Sequence, residues 1–206
     1  LKSLSKPKKV RTNLANQFGK SRIHNEPLGN ILVIGAWNYP YQLSLSPIVA
    51  ALAAGNCCIL KPSEIAENTM KVMAKIINEN FPPEYLYVYE GGIDETTELL
   101  KLKFDKIFFT GSTKIGNIVY KAAAENLTPV VLELGGKSPN IFFKSVADAD
   151  DAFFDKAVEG AVMFALNQGE ICTCPSRILV HEDIYDRFIT KVIERVKAIK
   201  IGHPLD

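Results

Sequence analysis

The sequence predicts an α/β fold: a parallel sheet with helices on both faces, followed by the start of a second α/β domain. Three observations predict it. From Leu28 to Leu134, short apolar runs alternate with helical patterns. The runs are apolar throughout rather than at every second position, as strands covered on both faces are. Turn residues part them in a β-α-β rhythm that suits right-handed crossovers. After Gly135-Gly136 the alternation restarts, over a stretch short for a self-sufficient core.

Taken in order, residues 1–27 form a basic stretch with Lys2, Lys6, Lys8, Lys9 and Arg11, polar to Pro27, and read as a solvated arm or hairpin. Residues 30–34 are a first strand ending at Gly35. Ser46-Pro47 resembles an N-cap with proline at the first helical position. Leu45, Ile48, Val49 and Leu52 then share a helix face, stopped at Gly55. Residues 57–60 are a second strand. Val72, Met73, Ile76 and Ile77 mark the next helix, broken by Pro82-Pro83. Residues 85–89, aromatic and β-branched, are a third strand closed by Gly91-Gly92. A short helix covers 94–102, a fourth strand 106–110, a fourth helix 115–124 and a fifth strand 129–134. In the second stretch, 140–143 is a strand and Phe154, Ala157, Val158, Ala161 and Ala165 line a long helix. Residues 167–175 are a loop and 177–181 a strand. Phe188, Val192, Val196 and Ile199 line a last helix.

Composition narrows the function. Lys and Arg number 24 against 23 Asp and Glu, a net charge of +1, which makes no electrostatic case for a nucleic-acid partner. No run of about 18 apolar residues predicts a membrane span. The chain begins at Leu1 without a signal-peptide pattern. Cys57 and Cys58 sit in an apolar run, Cys172 and Cys174 have no zinc-ligand spacing, and the three histidines are scattered. No metal site, no disulfide framework and a reducing cytoplasm are therefore expected.

Parallel sheets bind ligands at the carboxyl ends of their strands, and the polar residues gather there. The first strand runs into Trp37-Asn38-Tyr39-Pro40 and the second into Lys61-Pro62-Ser63-Glu64. The fourth runs into Phe109-Thr110-Gly111-Ser112-Thr113-Lys114-Ile115-Gly116. The fifth carries Glu133, then Leu134-Gly135-Gly136-Lys137. The Gly111–Gly116 spacing fits neither the usual dinucleotide fingerprint nor a P-loop, since Asn117-Ile118 follows.

Together with Asn167-Gln168-Gly169-Glu170-Ile171-Cys172, these motifs resemble the aldehyde dehydrogenase superfamily over residues 28–181. The resemblance implies a Rossmann-like dinucleotide-binding domain over 28–134 and the first part of a catalytic domain over 135–206. It implies oxidation of a small-molecule aldehyde to a carboxylic acid with NAD, NADP being also usable, by way of a cysteine thiohemiacetal and a thioester. Cys172 matches the nucleophile, which reacts as thiolate; Cys174 is its competitor, and the register after Asn167-Gln168-Gly169 favours Cys172, leaving Cys174 a bystander thiol. Asn38 matches the donor that holds the developing alkoxide, with the Cys172 backbone N–H. Glu133 matches the general base, and a carboxylate inside an apolar strand is costly without a task. Lys61 and Glu64 match the residues that hold the adenosine ribose, the carboxylate tilting the choice toward NAD. Gly111 and Ser112 match the pyrophosphate turn at a helix N-terminus. Gly136 matches a glycine beside the nicotinamide, and Trp37, grouped with these cofactor-binding residues, is expected to support the Asn38 turn and line the aldehyde funnel.

Glu133 also separates this chain from relatives that pass the acyl group to coenzyme A, which remain an alternative, as does a non-catalytic dinucleotide-binding fragment. Later family motifs and the segment used in homo-oligomers are not found, so a central fragment of a longer enzyme is expected. Residues 1–143 resemble the class 3 branch and 150–206 a bacterial branch, which suggests a join near 144–149.

Overall fold

The computed structural model describes residues 6–148, 151–166, 168–203 and 205. Lys2 of the basic stretch, Ala149 of the suggested join and Asn167 of the Asn-Gln-Gly motif lie outside the described residues. The chain divides into two compact units, Leu1–Leu134 and Gly135–Asp206.

The first unit opens with an antiparallel pair, β1 (Lys8–Val10) and β2 (Ser21–Ile23), in register Lys8↔Ile23. Thr12 fastens its far end: Oγ1 accepts from the Ser21 N–H at 3.2 Å and donates to the Gly19 carbonyl at 3.4 Å.

A five-stranded sheet follows, built from β3 (Asn30–Ile34), β4 (Cys57–Lys61), β5 (Leu86–Val88), β6 (Lys106–Gly111) and β7 (Val130–Leu134). All neighbours are parallel, in the order β5-β4-β3-β6-β7. Alternate residues of β3 feed two cores. Ile31 and Val33 pack with Ile48 of α1 (Pro40–Ala53) and Met73, Ala74 and Ile77 of α2 (Glu67–Asn80). Leu32 and Ile34 pack with Leu99 and Leu100 of α3 (Ile93–Leu100) and Val119 and Ala123 of α4 (Thr113–Glu125). The strand order reverses direction between β3 and β6, and a crevice at such a switch point is where open α/β sheets take ligands.

Side chains finish what the backbone leaves open. Asn56 accepts from the Leu28 and Gly29 N–H groups at 2.7 and 3.0 Å and donates to the Ala51 carbonyl. It ties the start of β3 to the end of α1. Asn78 of α2 donates to the Val88 carbonyl at 3.0 Å and accepts from the Val88 N–H at 2.8 Å. A helix side chain thereby supplies edge strand β5 with the pairing a further strand would give.

Two expectations are corrected. α1 begins at Pro40, and Pro47 lies inside it. Both prolines suit a first helical position, and no breaker between them stops the helix from starting at the earlier one. In α2 the buried face is Met70, Met73, Ala74 and Ile77, while Val72 and Ile76 are exposed. The buried set follows the i, i+3, i+4, i+7 spacing, and Val72 and Ile76 lie about 150° and about 110° from its centre.

The second unit pairs β8 (Pro139–Phe142) in parallel with β9 (Arg177–Val180). α5 (Ala152–Leu166) and α6 (Tyr185–Lys197) pack on them around Phe142, Phe154, Val158, Ala161, Phe188 and Val192. The Phe188 ring lies 4.4 Å from Phe142 and 5.9 Å from Phe154. The Arg187 guanidinium and Lys191 ammonium cover Phe154 at 4.5 and 4.8 Å. Lys191–Asp155 and Arg195–Glu159 pairs join the two helices.

Candidate active site

In the first unit, four adjacent strands deliver the candidate residues to one edge of the sheet. After β3 the chain turns through Trp37 and Asn38 into α1. Asn38 is half-buried and its Oδ1 accepts from the Tyr39 N–H at 3.1 Å. Oδ1 is thus the acceptor end of the amide, and Nδ2 is the end able to donate.

β4 ends in Lys61, whose side chain is wholly buried. Its Nζ donates to the Pro62 carbonyl at 2.6 Å and lies 3.4 Å from Glu64 Oε2. The Glu64 side chain is 46% exposed, so the pair has a wet end and a dry end. Burial pushes the Lys61 pKa below the usual lysine value, opposed by the Glu64 carboxylate and then by Glu95.

β6 runs through Thr110 and Gly111 into α4. Ser112 caps α4 by accepting from the Ile115 N–H at 3.3 Å, and the Gly116 N–H donates to the Ser112 carbonyl at 2.8 Å. A β-carbon at Gly111 would stand 2.6 Å from the Phe109 ring, and one at Gly116 2.8 Å from Leu134 Cδ2. The glycine spacing that fits no phosphate-loop pattern is therefore explained by close packing of this turn on β6 and β7. Thr110 and Glu133 are register partners on β6 and β7, so their side chains leave the same face of the sheet. Glu133 is exposed, so the expected penalty of a carboxylate in an apolar strand does not arise in this unit. The Thr110 hydroxyl is buried without a hydrogen-bond partner.

In the second unit, Cys172 is exposed at the second position of a turn closed by the Cys174 N–H donating to the Ile171 carbonyl at 3.0 Å. Cys174 is buried at 3% exposure. Gly136 approaches this turn: a β-carbon on it would lie 3.4 Å from the Cys172 carbonyl oxygen and 3.5 Å from Ser138 Oγ. Gln168 and Lys137, in the two loops concerned, both adopt positive φ, 57° and 48°. Non-glycine residues rarely do so, and such strain clusters at functional loops. Arg177 Nε donates to the Lys137 carbonyl at 2.9 Å and holds that loop.

Sequence reasoning did not single out Thr110, Arg177 or the two strained residues. Thr110, Gln168 and Lys137 stand inside the motifs, where nothing marks a role for them; the buried hydroxyl, the Arg177 contact and the positive φ angles depend on geometry that sequence spacing does not carry. No group of three or more potential metal ligands occurs among the described residues, and none of their helices is long and apolar enough to cross a membrane.

A doubly wound parallel sheet with polar residues collected at its switch-point edge defines a Rossmann-like α/β protein. The comparisons give the family. The profile of the aldehyde dehydrogenase family matches residues 3–206, and the chain belongs to that family. It is 53% identical over 184 residues to an aldehyde dehydrogenase of Rhodospirillum rubrum, a match covering 88% of this chain and 36% of the relative. Among solved structures, Staphylococcus aureus AldH in a substrate-bound state superposes with a TM-score of 0.84 at 43% identity, covering 95% of this chain and 42% of that one. Betaine aldehyde dehydrogenase of the same organism, in complex with NAD+, gives 0.83 at 35% identity, covering 96% and 38%. The chain thus spans little more than a third of the length of the curated relative. One relative matches on both sides of residues 144–149, so the comparisons lend no support to a join there.

Proposed function

We infer that the chain carries the cofactor-binding core and nucleophile of an NAD-dependent aldehyde dehydrogenase. Residues 28–134 form the dinucleotide-binding part and 135–206 the first part of the catalytic domain. The observation that carries the reading is the meeting of Asn38, Lys61–Glu64, Gly111–Ser112 and Glu133 at the carboxyl ends of four adjacent strands. The residues present fit a nicotinamide dinucleotide. A carboxylate beside a buried ammonium suits ribose hydroxyls, the N-terminus of α4 suits a pyrophosphate, and the orphaned Thr110 hydroxyl lies at the same edge. NADP is the secondary choice.

In this reading the Cys172 thiolate adds to the aldehyde carbonyl, and the Asn38 amide and Cys172 N–H hold the alkoxide that forms. NAD, when bound, supplies the acceptor for the hydride leaving that carbon. Glu133 takes a proton from the water that cleaves the resulting Cys172 thioester, releasing carboxylic acid and restoring the thiolate. Trp37 and Gly136 frame the two turns. The balanced charge and the free cysteines accord with a cytoplasmic protein taking a small aldehyde, with no nucleic-acid or membrane partner; a full-length form is read as a homo-oligomer.

The test is NADH formation by the 206-residue chain with an aldehyde. Turnover that coenzyme A neither accelerates nor diverts to a thioester is expected. Dinucleotide binding without turnover would instead indicate a binding module.

A further inference from the structure

Glu95 lies in the first turn of α3, and its carboxylate folds back to accept from the Gly92 N–H at 2.7 Å. Gly91 has φ 144°, and a β-carbon there would overlap the Glu95 side chain. The Gly91-Gly92 turn is therefore shaped around this carboxylate. That turn follows β5, which pairs with β4 in register Leu60↔Val88, one residue before Lys61. The charge of Glu95 acts on the Lys61 ammonium. Lys61 in turn adds to the backbone N–H groups of Glu95 and Gly92 in holding Glu95 below the usual carboxylate range.

We propose that Glu95 is a second carboxylate of the ribose corner, and that with Glu64 it excludes a ribose 2′-phosphate and so sets the preference for NAD over NADP. This rests on reading Lys61 and Glu64 as the ribose-holding pair. A lone buried ammonium at that corner would attract a phosphate. Glu64 offsets its charge, but its side chain is half exposed. Glu95 is anchored by its cap, so its charge stays in place and the corner is net negative. A neutral 2′-hydroxyl donates to a carboxylate there, whereas a 2′-phosphate brings about −1.5 to −2 charges toward it.

The test compares dissociation constants of NAD+ and NADP+ for the chain and for E64Q, E95Q and E95K. Glutamine can keep the bond from the Gly92 N–H, so E95Q removes the charge and retains the cap. E95Q is expected to tighten NADP+ on the order of tenfold, from the removal of one like charge at an intermediate dielectric. NAD+ should change little, and the gain should shrink as salt is added. The NADP+ to NAD+ affinity ratio should rise again in E95K, which keeps the series informative should one variant fold poorly. If the unaltered chain binds NAD+ and E64Q shifts the ratio while both Glu95 variants leave it unchanged, the role of Glu95 is overturned and the site reading stands. If the chain binds neither dinucleotide, the site reading itself fails.

Discussion

Lys61 Nζ lies 3.4 Å from Glu64 Oε2 and 2.6 Å from the Pro62 carbonyl, joining a buried ammonium to a half-exposed carboxylate across the end of β4. Because burial lowers the Lys61 pKa, the charged form costs stability in the folded chain. That cost is present at neutral pH and is relieved as pH rises through the lowered folded value toward the ordinary 10.5. Lys61→Met is expected to melt at or above the parent Tm at neutral pH, with the difference closing in the alkaline range, and to lose dinucleotide affinity. A lower neutral Tm independent of pH would contradict this.

The two cysteines of the second-unit turn should separate cleanly. Cys172 is exposed and Cys174 buried, so brief alkylation followed by mass mapping should label Cys172 first. Cys172→Ser should abolish aldehyde oxidation. Cys174→Ala should retain it at a stability cost of about 1 kcal/mol from lost packing. Loss of activity only in the Cys174 variant would reverse the assignment.

Ser44 Oγ is fully buried, has no hydrogen-bond partner and sits where a β-carbon on Gly35 would collide with it. Removing an unsatisfied buried hydroxyl relieves a penalty of about 1–3 kcal/mol, offset by any cavity left behind. Ser44→Ala should therefore keep or raise Tm. Gly35→Ala should be destabilising alone and less so in the Ser44→Gly background, and simple additivity in that cycle would argue against the contact.

The Asn78–Val88 pair predicts a defect of association as well as of folding. Asn78→Leu removes both hydrogen bonds from the edge of β5. A loss of about 1–3 kcal/mol in denaturant unfolding is expected, with light scattering that grows with protein concentration. Unchanged scattering would show that the edge is protected by something else.

The sheet was legible in the sequence because its strands are buried on both faces: runs such as Ile31–Ile34 and Ile107–Phe109 leave no period to confuse with a helix. Legibility failed where two residues offered the same signal. Pro40 and Pro47 both suit a helix start, and Ile76 and Ile77 both suit a core face, and only packing chooses between them. At the candidate site, the placement of Asn38, Lys61 and Glu133 at strand ends follows from the motifs. The bond from Arg177 to Lys137, 40 residues apart, and the fold-back of Glu95 onto Gly92 could not, since both depend on turns whose geometry is set by the finished fold.

Trp37 is the one tryptophan of the chain, 40% exposed and next to Asn38 at the turn from β3 into α1. Its emission is therefore an intrinsic optical signal from that turn. Titration with a dinucleotide or an aldehyde can be followed without a label, and any spectral change reports on the surroundings of one known side chain.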